Sequence, residues 1–381
     1  MNLAPTSQQQ LLAATARAFL DRRCPPELVL ELALDARGFR EDLWGEMAGL
    51  GWPGLLAPSA LGGSDGSLLD VMVLVEEMGR ACLPSPYIQS AVVATSLLLA
   101  ARGAGRGPAV GPDPVDRLVA DLASGNRIAT PAVLEGAGAL SPDAVALRAE
   151  VPGRITGRKL FVKDAHVADV LVLVARGGGG FTLLAIEPGR PGLCIEPMPS
   201  MAGEKLSALA LDDVPVATAD LVGAPGQSWD AIAPALERGA LARCAEMVGC
   251  AARVLDLCVA HARGRVQFGR PIGSFQAIQH ACADLLRDVE GARWLTYQAA
   301  WKAQEAGGAS ADVAMAKVFC GEACLRVARR AHQIMGAIGY CEEHPLHLLH
   351  KRILAASLDF GDSTSHLDAV ARAIGLSAVA T

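Results

Sequence analysis

Several residues in this 381-residue chain have the type and spacing for chemistry. His344, His347 and His350 recur every three residues and could share one broad helix face as metal ligands. Pro345 interrupts the first pair, no carboxylate stands at zincin spacing and HExxH is absent, so these imidazoles are expected to be structural surface groups and no metal site is expected. Cys320 and Cys324 lie one helical turn apart without the CxxC or Cys/His quartet of a structural zinc site. Glu246 is a carboxylate in an apolar run, with Leu241, Ala242, Cys244, Ala245, Met247 and Val248 around it. Desolvation in such surroundings would strengthen it as a proton acceptor near neutral pH. Its plainer reading is an i,i+3 pair with Arg243, worth about 0.2–0.5 kcal/mol on an exposed helix. No Walker A motif and no Ser/His/Asp pattern accompanies these residues.

Composition narrows the partners. The chain is 51% hydrophobic and 19% charged with a formal charge of −6, and it has no Lys/Arg stripe, so a nucleic-acid partner is not expected. The longest apolar run, Ser90 to Ala101, is about 12 residues against the roughly 20 a membrane span needs. The polar opening Ser7-Gln8-Gln9-Gln10 lacks the character of a secretory signal, and ten scattered cysteines suit reduced, packed thiols, which together predict a cytoplasmic protein.

The elements that must position these residues fall into three segments. Over residues 1–120 apolar positions return every three or four residues, as in Leu43, Met47, Leu50 and Leu68, Val71, Met72, Val75, Met78, with breaks at Gly51-Trp52-Pro53, Gly62-Gly63 and Leu83-Pro84-Ser85-Pro86. Gly103 to Pro114 reads as an exposed connection. Over 121–224 short β-branched runs separated by turns such as Gly177 to Gly180 predict a compact β barrel or sandwich. Over 225–381 the helical period returns in segments near 230–263, 274–306, 310–337, 345–359 and 364–376, enough for a bundle. The expected class is α+β, mostly α: an N-terminal helical domain, a middle β-barrel domain and a C-terminal helical bundle.

RVQFGRPIGSFQAIQH (Arg265 to His280), HQIMGAIGY (His332 to Tyr340), LGWPGLLAPSALGG and LVEEMGRACLPSPY resemble the acyl-CoA dehydrogenase superfamily, and KLFVKDAHVADVLVLVAR has the look of its flavin-facing strand. The resemblance covers nearly the whole chain. It implies FAD at a subunit interface, oxidation of an acyl-CoA thioester to its 2,3-enoyl product, and delivery of electrons to an electron-transfer flavoprotein. That chemistry needs a base for the α-proton on one face, a hydride acceptor on the other, and hydrogen bonds to the thioester carbonyl. By the resemblance, Arg265 meets the FAD pyrophosphate of a neighbouring subunit and Phe268 packs along it. Ile272, Phe275 and Ile278 line the adjoining stretch, while Gln333, Gly336 and Ala337 approach the ADP half. The plain alternative makes Phe268 and Ile272 bundle core. Phe161 and Val162 match positions beside the isoalloxazine ring. Lys163 stands where a hydroxyl residue is common, and Arg127 to Ala139 lacks the family's acidic Gly-Ser-Asp loop, leaving Thr130 as the best remaining hydroxyl donor. Ser363 and Ser365 fall where family residues approach FAD, and helix N-capping explains either equally well.

The resemblance also exposes a gap. Gly361 in LDFGDSTSH occupies the place of the family's C-terminal catalytic glutamate, and Gly239 occupies the second known location, ten residues before Gly249. Glu246 lies two helical turns beyond Gly239 and is the leading replacement base; AEMVG resembles a bacterial branch acting on steroid and other bulky acyl-CoAs, whose members often form mixed tetramers. Asp362 is the second choice. The expected activity is FAD-dependent acyl-CoA dehydrogenation in a dimer or tetramer, of one or two kinds of chain. The alternatives are a non-catalytic partner subunit of a mixed tetramer, or an acyl-CoA oxidase.

Overall fold

A computed structural model describes residues 4–102, 113–136, 140–305 and 310–376. Helices come first and last with strands between them, so the α+β, mostly α class is observed. Most of the expected Gly103–Pro114 connection, and the end of the Arg127–Ala139 stretch, lie outside the described residues. The chain divides into two compact units, one formed by Met1–Glu31, Leu68–Leu83 and Ala240–Thr381, the other by Leu32–Ser67 and Pro84–Gly239.

In the first unit, α1 (Ser7–Arg23) opens with a capping box: Thr6 Oγ accepts from the Gln9 amide at 3.2 Å and Gln9 Oε1 accepts from the Thr6 amide at 3.0 Å. After α2 (Pro26–Leu34) and α3 (Glu41–Gly49), the latter in the second unit, α4 (Leu68–Arg80) returns to the first unit, buried along nearly its whole length. The long helix whose C-terminal part crosses α4 runs Trp229–Gly264, and glycines make the crossing possible. A Cβ on Gly249 would lie 1.9 Å from the Glu76 carbonyl oxygen, and one on Gly79 2.2 Å from that of Glu246. Any side chain at either position would force the backbones apart. Further helices at Gln276–Glu305, Ser310–Met335, Leu346–Leu358 and Ser363–Ala373 complete the bundle close to the expected spans.

In the second unit a π-helical segment, Ile88–Ala94, runs into α5 (Thr95–Arg102), and α6 (Pro114–Ala123) follows. One sheet has the order β1 (Ala129–Ala132), β3 (Val170–Gly177), β4 (Gly180–Ile186), β7 (Leu221–Gln227), with β1 parallel to β3 and the rest antiparallel. The other places β6 (Leu206–Val216) between β2 (Gly153–Lys163) and β5 (Leu193–Met198), all antiparallel. Fully buried Lys159 on β2 ties the sheets together: its ammonium donates to the Val133 and Val174 carbonyls at 3.0 and 2.6 Å and to Glu135 at 2.6 Å. Burial lowers the Lys159 pKa, and the Glu135 carboxylate partly offsets that effect. By the order of introduction the bundle helices are α7 (Trp229–Gly264), α8 (Gln276–Glu305), α9 (Ser310–Met335), α10 (Leu346–Leu358) and α11 (Ser363–Ala373).

Candidate active site

The leading base is built into an ion network. Glu246 on α7 is 5% exposed, and both of its carboxylate oxygens are engaged. Arg243, one turn earlier, donates to Oε2 at 2.5 Å, and Arg352 of α10 donates to Oε1 at 2.9 Å. Arg243 also donates to Asp359 at 2.8 Å, and Arg352 to the Leu83 carbonyl at 3.3 Å. The apolar neighbours expected from the sequence are buried around Glu246, and two buried guanidiniums stand against its carboxylate as well. Protonating a carboxylate held this way would leave two buried cations short of their counter-charge. The Arg243 pair is present, but as part of a buried network rather than on an exposed helix face.

The segment at the vacant base position is equally occupied. α10 ends at Leu358, and Phe360 and Gly361 both take positive φ, 57° and 100°. Buried Lys317 of α9 donates to the Ser357 and Gly361 carbonyls, each at 2.8 Å, and an imidazole nitrogen of His366 lies 3.0 Å from the Phe360 carbonyl. A Cβ built on Gly361 would lie 2.8 Å from His366 Nε2, so a side chain there would have to displace the imidazole. Asp362 is the N-cap of α11: Oδ1 accepts from the Ser365 amide at 2.9 Å and from its hydroxyl. The Ser365 hydroxyl and amide hold the Asp362 carboxyl below the usual carboxylate range, which makes it a weaker base. Asp362, the second choice as base, thus stands in the structure as a helix cap. This corrects N-capping by either serine: the cap is the aspartate, Ser365 is its donor, and half-buried Ser363 lies opposite Gly321.

The arm after α7 has the opposite character. β8 (Val266–Gln267) and β9 (Arg270–Pro271) form a tight hairpin whose two turn residues, Phe268 and Gly269, have φ of 52° and 79°. Positive φ at both turn positions matches the twist of a two-residue hairpin. Arg265 is exposed and Phe268 is 92% exposed, so Phe268 is not bundle core. Phe268 meets Phe275 edge-on at 6.1 Å, with Arg270 4.2 Å over the Phe275 ring. Ile272, Phe275 and Ile278 are half-buried at the arm's base. At the end of α9, Gln333, Gly336 and Ala337 are exposed, and a Cβ on Gly336 would touch nothing within 4 Å.

Beneath that segment lies a histidine cluster that corrects the expected surface imidazoles. His344, His347 and His350 are half-buried. His350 Nδ1 lies 2.9 Å from Nε2 of buried His332, whose ring stacks on Tyr340 at 4.6 Å. His347 Nε2 is 3.0 Å from the Glu342 carbonyl, and His344 Nδ1 accepts from the Leu346 amide at 3.2 Å. Burial lowers the pKa of His332, His344 and His350, so these rings take up a proton less readily than a free imidazole.

In the second unit, Phe161 sits at a bulge between Lys159 and Val162 with φ 56° and is 40% exposed, while Val162 points inward. Thr130 is fully buried and its hydroxyl donates to the Lys163 carbonyl at 2.6 Å. It pins β1 to the end of β2, and in this arrangement its proton goes to Lys163. Lys163 pairs with Glu204 at 2.7 Å, both nearly buried. Sequence reasoning missed Arg352, Lys317 and Glu204; each meets its partner across tens of residues or more, a separation without periodic signal.

Comparison with known proteins gives these features a family. The model of the acyl-CoA dehydrogenase C-terminal domain matches residues 226–375, and that of the N-terminal domain residues 6–104. The chain is 30% identical over 357 residues to cyclohex-1-ene-1-carbonyl-CoA dehydrogenase of Geobacter metallireducens, covering 89% of this chain and 90% of that one. It is 29% identical over 351 residues to acyl-CoA dehydrogenase IpdE2 of Mycobacterium tuberculosis, covering 92% of each. Among solved structures, it resembles the ChsE4-ChsE5 complex of M. tuberculosis at TM-score 0.88 and 28% identity, over 99% of this chain and 100% of the matched one. The chain belongs to the acyl-CoA dehydrogenase family, the oxidoreductases that act on CH–CH groups of acyl-CoA thioesters.

Proposed function

We propose that this chain is the base-less subunit of a mixed acyl-CoA dehydrogenase, and that its Val266–Pro271 arm completes the FAD site of a related chain that carries the α-proton base. The observation that carries this reading is that glycine stands at both base positions, while Glu246 and Asp362 are engaged in an ion network and a helix cap. The resemblance to the ChsE4-ChsE5 complex, an assembly of two differently named chains, supports it.

The exposed groups suit FAD contributed in part by another chain. The Arg265 guanidinium is displayed for a diphosphate, and Phe268 projects an apolar ring that nothing in its own unit covers. Gly336 offers backbone to which a ligand can come close. By contrast the hydroxyls of Thr130 and Ser365 are spent on Lys163 and Asp362. That division fits residues that complete a neighbour's cofactor site better than a full site of their own. Bound FAD would accept the β-hydride of the acyl-CoA. Arg265 and Gln333 would hold and orient the cofactor, Phe268 and Phe275 would exclude water from it, and the partner's carboxylate would take the α-proton. An electron-transfer flavoprotein as final acceptor and a cytoplasmic location belong to the same proposal; among the described residues no helix is long and apolar enough to cross a membrane.

The test compares visible spectra of the chain purified alone and co-purified with related dehydrogenase chains that retain the glutamate. Each sample is then mixed anaerobically with acyl-CoAs. The expected result is no thioester-bleachable flavin in the chain alone, bleaching in the mixed complex, and loss of flavin from that complex on Arg265→Met or Phe268→Ala. Flavin in the chain alone that acyl-CoA bleaches would refute the proposal and establish a self-sufficient dehydrogenase.

A further inference from the structure

Arg238 differs from the other buried guanidiniums of the chain. Arg243, Arg352, Arg293 and Arg190 each face at least one carboxylate. Arg238, on α7 next to Gly239, is half-buried and makes one hydrogen bond among the described residues, Nη1 to the hydroxyl of Ser96 at 3.1 Å. Burial lowers its pKa, and among the described residues no anion acts to raise it. A guanidinium cannot escape burial by losing its proton at neutral pH. A cation withdrawn from water without a counter-ion is costly, and such a group is retained where something brings it an anion.

The surroundings suit a ligand group rather than a missing internal partner. Ser96 is 2% exposed on α5, with fully buried Leu97 and Leu98 beside it. Its hydroxyl accepts from Arg238, which leaves its own proton to donate. The π-helical segment Ile88–Ala94 ends two residues before Ser96, and Thr95 donates to the Ser90 carbonyl at 3.1 Å. Such wide turns re-aim the residues that follow them and recur at functional sites. On the Arg238 side, Gly239 adds little bulk to α7.

We propose that Arg238 and Ser96 form a carboxylate-binding subsite. The planar guanidinium fork matches a carboxylate, and the serine hydroxyl adds a third donor to it. The carboxylate comes either from the far end of an acyl-CoA's acyl group or from a free organic acid. The first source rests on the acyl-CoA reading above and requires in addition that this chain itself holds the acyl group; the second does not.

Titration calorimetry on the purified protein, alone and in its mixed complex, separates the two. The probes are hexanoyl- and octanoyl-CoA, their ω-carboxylated counterparts adipoyl- and suberyl-CoA, and free adipate. The expected result is at least one carboxylated probe bound about 10- to 100-fold more tightly than its uncharged counterpart, or adipate bound directly, the range for hydrogen bonds to a charged group. Arg238→Met should abolish that preference while hexanoyl-CoA affinity stays constant, and Arg238→Lys, which keeps the charge and most of the bulk, should retain part of it. Equal affinity for charged and uncharged thioesters with no binding of adipate overturns the subsite, as does a preference that survives in Arg238→Met. If no thioester binds but adipate binds and is lost in Arg238→Met, the acyl-CoA reading fails and the subsite stands.

Discussion

Glu246→Gln separates a structural carboxylate from a catalytic one. The substitution preserves size and leaves one carbonyl oxygen to accept from one guanidinium, but it removes the charge and turns an NH2 toward the other. Two charge-assisted hydrogen bonds, at 2.5 and 2.9 Å, are affected in a site about 5% exposed. Each such bond contributes about 1.5–3 kcal/mol, and breaking a buried ion pair costs about 3–5 kcal/mol. Because Arg243 keeps Asp359 at 2.8 Å, the lower end applies, about 3 kcal/mol. For a unit of this size that lowers Tm by roughly 6–12 °C, read by circular dichroism melts and checked by urea titration. The loss should be less than additive with Arg352→Met, since both changes break the same bond. If Glu246→Gln melts like the wild type but stops thioester oxidation in the assembled enzyme, Glu246 is the base and the ion-network argument is wrong.

Two further outcomes follow from the same unit. Gly361→Ala should destabilise by about 1–3 kcal/mol from the left-handed backbone alone, with added strain against His366, and Gly361→Glu should not restore a base; a urea midpoint equal to wild type would refute this. His332, His344, His350 and His366 all have folded pKa values below the ordinary 6.5, chiefly through burial. Below that value the unfolded chain binds more protons than the folded one, so stability should fall as pH drops through about 6.5. Urea midpoints between about pH 7.5 and 5.5 should decline, less so in His350→Asn; a flat profile would count against the buried cluster.

What the sequence determined by itself is local. Apolar spacing placed α8 through α11 within a few residues, because helical period is a property of neighbours along the chain. The FGRP stretch folds as a tight turn at Phe268-Gly269. The Arg243–Glu246 pair was visible as an i,i+3 spacing. The meaning of that pair was not, because Arg352 lies 106 residues from Glu246 and reaches it only once α10 packs beside α7. Thr130 read as a free hydroxyl until β1 met the end of β2 and gave its proton to Lys163. Phe268 and Ile272 had equally apolar alternatives, and only the projection of the hairpin showed that the first stands in solvent. Tertiary structure decided these points because hydrogen-bond partners and burial depend on which segments meet in space. A site whose residues come from distant segments carries no period by which the sequence alone can disclose it.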